Sequence, residues 1–120
     1  MFDWLKKRVQ RLEPVAQWVV TIESKGIRVS DYNRQEKFVA KDKLSGVAIQ
    51  TNDTGPWGAD VWWLLFGADD QLACAFPQGA TGEQAALDYL MALDRFNHDE
   101  MISAMGSTQN AVFPVWRKQP

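Results

Sequence analysis

With 120 residues the chain has the length of one domain, and 46% hydrophobic against 23% charged residues is ordinary for a folded protein, which excludes a chain that is disordered or of low complexity throughout. The formal net charge of −2 gives the molecule as a whole no electrostatic case for binding nucleic acid. Cys74 is the only cysteine, which excludes an intrachain disulfide; with a single histidine beside it, no zinc site of the usual nitrogen and sulfur type can be built.

The charge is unevenly spread. Residues 1–18 carry Lys6, Lys7, Arg8 and Arg11 against Asp3 and Glu13, a net of +2, which leaves −4 for the remainder. This opening stretch lacks the apolar core of a secretory signal. The longest strongly apolar run, Val61 to Phe66, is far short of the ~20 residues that span a bilayer. The expected compartment is the cytoplasm.

Residues 3–13 have helical spacing, with Phe2, Leu5, Val9 and Leu12 on one stripe, Asp3 as an N-cap and Pro14 closing the segment. Residues 1–17 are therefore read as an N-terminal amphipathic helix, and 18–120 as one domain. From Trp18 the period becomes two: Trp18, Val20 and Ile22 point one way, Thr21 and Glu23 the other. Lys25-Gly26 is a turn, and Ile27 to Ser30 alternates again, which predicts a hairpin. After the polar turn at Asp31 to Arg34, a third strand is expected from about Lys37 to Ala40. Lys41 to Leu44 is a connector, and a fourth strand runs from Gly46 to Thr51 with Val47 and Ile49 inward.

Asn52 to Gly58 is the strongest loop signal, because Gly55, Pro56 and Gly58 break both periods. Val61 to Phe66 follows, apolar on both faces, as a central strand covered on each side would be. Gly67 to Asp70 turns it into a strand over Gln71 to Phe76, with Leu72, Cys74 and Phe76 on one face. Pro77 to Ala80 ends the run of strands. Thr81 with Gln84 reads as a capping box, opening a helix whose stripe is Ala86, Leu87, Leu90, Met91 and Leu93. Asn97 with Glu100 is a second cap of the same kind. It opens a short helix with Met101, Ile102 and Met105 inward, stopped by Gly106. Asn110 to Arg117 is a last strand, and Pro114 within it argues for a sheet edge.

Strands and helices segregate along the chain. That predicts an α+β fold, a mostly antiparallel curved sheet of about six strands with two helices after the central hairpin and a final edge strand. A pleckstrin-homology-like barrel is the alternative.

No segment carries a catalytic or cofactor signature, so no catalytic residue, metal ligand or cofactor is assigned. His98, as acid or base, would need an oriented partner; at a helix start it is better read as an exposed residue. Cys74 alternates in step with Leu72 and Phe76 and reads as a core thiol. Asp69 and Asp70 suit hairpin-turn chemistry. Pro77 to Gly82 feeds a helix start, a place where backbone amides can hold an anion, but neither a Walker loop nor a dinucleotide fingerprint is present.

Two segments are left as candidate sites. The loop bearing Asp53, Thr54, Trp57 and Asp60, with Gln78 and Thr81 from the later turn, is a candidate ligand or partner surface, since loops carry function and Trp is enriched at interface centres. The competing reading makes Trp57 a lid over the sheet end. Phe2, Trp4, Lys6, Lys7 and Arg8 join aromatic to basic side chains, a composition suited to a membrane-surface or partner-binding arm. The alternative is a helix docked on its own domain.

The strings Val47-Ala48-Ile49-Gln50-Thr51-Asn52-Asp53-Thr54-Gly55-Pro56, Asp60-Val61-Trp62-Trp63-Leu64-Leu65, Pro77-Gln78-Gly79-Ala80-Thr81-Gly82 and Ala104-Met105-Gly106-Ser107-Thr108-Gln109-Asn110-Ala111, with Phe113 and Trp116 after them, resemble a family of small uncharacterised bacterial proteins. The resemblance covers roughly residues 18–118. It implies a bacterial, cytoplasmic, stand-alone protein and carries over no activity and no site residue.

Three functions compete. The first is a non-catalytic binding protein, of the immunity type or self-associating, whose partner is another protein or a second copy. The second is a small-ligand binder or enzyme, which requires the 53–60 loop and the 77–82 turn to meet at one sheet end. The third is peripheral membrane attachment through residues 2–12, the weakest because only about three turns precede Pro14. Enzymatic activity is left open, with the balance against it.

Overall fold

Alternation of apolar and polar residues with a period of two, punctuated by Gly and Asp turns, builds most of the molecule. The computed structural model describes residues 17–52 and 61–119. Seven strands, β1 (Val19–Ile22), β2 (Gly26–Ser30), β3 (Glu36–Ala40), β4 (Gly46–Thr51), β5 (Val61–Phe66), β6 (Leu72–Pro77) and β7 (Ala111–Arg117), are joined by two helices, α1 (Glu83–Met91) and α2 (His98–Met105), between β6 and β7. The fold is α+β, as the segregation of strands from helices predicts.

The strands form two antiparallel sheets, β1-β2-β3 and β6-β5-β4-β7, with no closed barrel among the described residues. The first is a meander. Its second turn is held by the Asp31 carboxylate, which accepts from the backbone N–H of Asn33 at 2.8 Å and of Gln35 at 3.0 Å. In the second sheet, Pro114 lies on β7, which among the described strands pairs only with β4; an edge is where a missing N–H costs least.

One face of the four-stranded sheet makes the core. Val47, Ile49, Trp63, Leu65, Cys74 and Phe76 are fully buried there, packed with Val20, Ile27, Val29 and Val39 of the three-stranded sheet and with Ala86, Leu90 and Ala104 of the helices. Trp63 is the keystone: its ring stacks on Phe76 and on Phe96, each with centroids 6.4 Å apart. Burying such side chains stabilises by ~1.5–3 kcal/mol each.

β5 is central: its inner side lies in the core, and on its outer side Trp62, Leu64 and Phe66 are half-buried and stand outside the core cluster that the two helices join. Two expectations need correction. Ile102 and Met105 are exposed, and Ala104 takes the buried place on α2: the helix meets β7 and β4 along a narrower stripe than its apolar content suggests. Leu72 is also exposed; a register shift between Leu65 and Phe66 marks where β6 begins, away from the core that holds Cys74 and Phe76.

Candidate functional site

The four-stranded sheet has one end at which three connections gather. β4 ends there at Thr51, which pairs across the sheet with Val61 at the start of β5 and with Ala111 at the start of β7. β6 ends there too: Trp62 is opposite Pro77, and the backbone N–H of Gln78 donates to the carbonyl of Val61 at 2.8 Å. The connections are therefore the segment after Thr51, the turn after Pro77 and the loop between α2 and β7. Asp53, Thr54, Trp57 and Asp60 lie outside the described residues, as do Phe2, Trp4, Lys6, Lys7 and Arg8. The strands flanking the first connection nevertheless fix where it leaves and re-enters the sheet.

The turn after β6 is held from two sides. Gly79 and Gly82 have φ of 94° and 87°, the left-handed region that favours glycine. Between them Thr81 is extended and pairs with the first sheet: its N–H donates to the carbonyl of Trp18 at 2.7 Å, and the N–H of Val20 donates to its carbonyl at 2.8 Å. The expected capping box does not form. Gly82 occupies the N-cap position of α1, with no side-chain capping bond, because Thr81 is committed to a strand pairing. A Cβ on Gly82 would overlap the carbonyl oxygen of Val20. Gln78, Gly79, Thr81 and Gln84 are exposed, so the turn presents polar side chains on a fixed backbone.

The third connection was not read from the sequence as part of a site. Thr51, the one buried polar side chain among the described residues, donates from Oγ1 to the carbonyl of Gln109 at 2.7 Å, with Ser107 Oγ at 3.3 Å. Ser107 Oγ in turn accepts from the N–H of Gln109 at 3.2 Å. A buried hydroxyl left without a partner would cost ~1–3 kcal/mol, so this contact draws the 107–110 loop over the end of β4. Gln109 and Asn110 are exposed beside it. The only local signal for this was a threonine at an inward strand position, where Val or Ile is usual.

The remaining titratable candidates fall elsewhere. Cys74 is buried on β6, and burial pushes its thiol up to about 12, which keeps it protonated and unreactive at neutral pH. His98 is exposed at the start of α2, its ring edge-on to Phe96 with centroids 4.9 Å apart. Trp116 on β7 is half-buried and tied down by its indole N–H, which donates to the carbonyl of Asp94 at 2.8 Å. Asp69 and Asp70 sit in the β5–β6 turn with φ of 58° and 55°, at the opposite end of the sheet. No cluster of three or more His, Cys, Asp or Glu able to hold a metal occurs among the described residues.

A concavity of 710 Å³ lies on the outer face of the three-stranded sheet, lined by Thr21, Arg28, Ser30, Tyr32 and Arg34 among others. Arg28 is already engaged there. Its Nε donates to Glu23 at 2.7 Å, Glu36 is 3.6 Å away, and the guanidinium lies 4.9 Å over Phe38. The hydrogen bond from Arg28 holds the Glu23 carboxyl below its ordinary value. A ligand anion would have to displace partners that this strand pair already provides.

Comparison with protein-family models, with curated proteins and with solved structures finds no match to this chain. No helix among the described residues is long and apolar enough to cross a membrane.

Proposed function

We propose that the chain is a non-catalytic binding protein that recognises another protein, as an immunity-type inhibitor does, or a second copy of itself, through the loop-bearing end of its four-stranded sheet. The observation that carries this reading is the anchoring of that end. The Thr51 hydroxyl holds the 107–110 loop, and the Thr81 pairing with Trp18 and Val20 holds the 77–82 turn, on either side of the end of β4 and the start of β5. Loops fixed on a rigid scaffold present polar side chains at low entropic cost, which is the economy of a recognition surface. The proposed setting is the bacterial cytoplasm.

A second reading, a small-ligand site at the same end, is favoured by one specific contact: the bond from Gln78 to Val61 brings the 77–82 turn against the exit of the 53–60 loop. Affinity capture with full-length baits separates the two. Wild type and Arg28→Ala should retain the same protein, while Trp57→Ala and Gln109→Ala should lose it; for self-association, light scattering should show the same pattern in mass. Equal capture by all four baits, or a single-chain mass with nothing retained, defeats the proposal.

A further inference from the structure

The outer face of the four-stranded sheet lacks a cover among the described elements. On β5 it displays Trp62, Leu64 and Phe66, all half-buried, and across the strands these stand opposite Pro77, Ala75 and Gln50, Ala48, Gly46. Ala48 is itself opposite Pro114 on β7, and Val112 on the same face is 55% exposed. Strands with one face in the core normally turn polar residues outward. Here the outward set is apolar apart from Gln50, and it carries a hollow of 230 Å³ bounded by Ala48, Phe66 and Pro114. A contiguous apolar surface of this kind is a docking surface.

Trp18 indicates what docks. Its ring meets Trp62 edge to face, with centroids 5.2 Å apart, so the chain arrives at β1 from the Trp62 end of this surface. The sixteen residues before Gln17 lie outside the described residues, and their sequence holds the stripe Phe2, Leu5, Val9, Leu12. As a helix, residues 2–12 would be ~16 Å long. The outward row from Trp62 to Phe66 measures ~13 Å. The link from Leu12 to Trp18 reaches ~20 Å when extended, enough to lay such a segment back along the sheet. We infer that residues 2–12 of the same chain dock on this outer face through Phe2, Leu5, Val9 and Leu12. The basic residues Lys6, Lys7 and Arg8 share the segment with that stripe, and docking commits its apolar side to the sheet instead of a bilayer. This inference concerns a different face from the proposed recognition end and stands or falls separately.

Hydrogen exchange by mass spectrometry on the full-length chain tests it. Backbone amides of residues 2–12 should exchange at least about tenfold more slowly than those of a free peptide of that sequence, at concentrations where light scattering gives a single-chain mass. Leu5→Glu/Val9→Glu, which alters only the docking segment, should abolish that protection. Leu64→Lys should do the same from the other side, with β4 peptides reporting that the sheet is intact. The inference is overturned if residues 2–12 exchange at the free-peptide rate in the wild type. It is also overturned if protection appears only as the chain dimerises, which assigns the face to a second copy, or only on adding phosphatidylglycerol vesicles, which assigns the segment to a membrane.

Discussion

The two helix starts carry nearly the same local signal and meet different fates. At α2, Asn97 takes an extended conformation, and its side chain accepts from the N–H of Glu100 at 3.0 Å, as the sequence pattern predicts. At α1, Thr81 and Gln84 carry the stronger version of the pattern, yet Gly82 takes the N-cap position and Thr81 pairs with β1. A side-chain cap is worth ~1 kcal/mol. Two backbone hydrogen bonds that join the sheets outweigh it, and they require a residue free to adopt a φ of 87° just after them. The start where the local rule yields is the one beside the candidate site.

The largest effect that sharpens this contrast is expected at Gly82. Gly82→Ala imposes left-handed strain and pushes on the Val20 carbonyl, so chemical denaturation should show a loss of ~3 kcal/mol. A loss of only a few tenths would mean that the turn is not locked. Next comes the strand that delivers the turn. Burial lets Cys74 keep its proton in the folded state up to about 12, whereas the unfolded chain releases it near the ordinary 9.0. The unfolded state then binds fewer protons, so stability falls as pH rises, by ~1.4 kcal/mol at pH 10. Cys74→Ala should remove that increment of slope, and an unchanged slope would show that the thiol is not buried as described.

Asn97→Ala should cost ~1 kcal/mol in the same denaturation assay, the ordinary value of a lost cap. Gln84→Ala should cost a few tenths at most, because Gln84 Nε2 donates only to exposed Asp88 at 2.9 Å. If Gln84→Ala costs as much as Asn97→Ala, the two starts are alike after all.

Strand content was legible because its signals are local. Gly46 to Thr51 and Val61 to Phe66 emerge with the bounds that alternation and the Gly and Pro breaks predict. What escaped depends on contacts between residues distant in sequence. The division into two sheets follows from β3 leading into β4 through Lys41 to Ser45 without pairing to it. The exposure of Ile102 and Met105 follows from how α2 meets β7, and the tether of Trp116 to Asp94 spans a separation of 22 residues. The 107–110 loop joined the site through Thr51, 58 residues before Gln109. Periodicity places a threonine on the inner face; it does not say which carbonyl the hydroxyl will find.

Recognition through the loop end is tested most directly by an exchange footprint on the full-length chain, free and in its complex with the captured protein or, for self-association, dilute and concentrated. The account predicts slowed exchange confined to the segments 52–61, 77–82 and 106–110, with the strands of the three-stranded sheet unchanged. Slowing over Thr21 to Glu36, with the loop end unaffected, would contradict it.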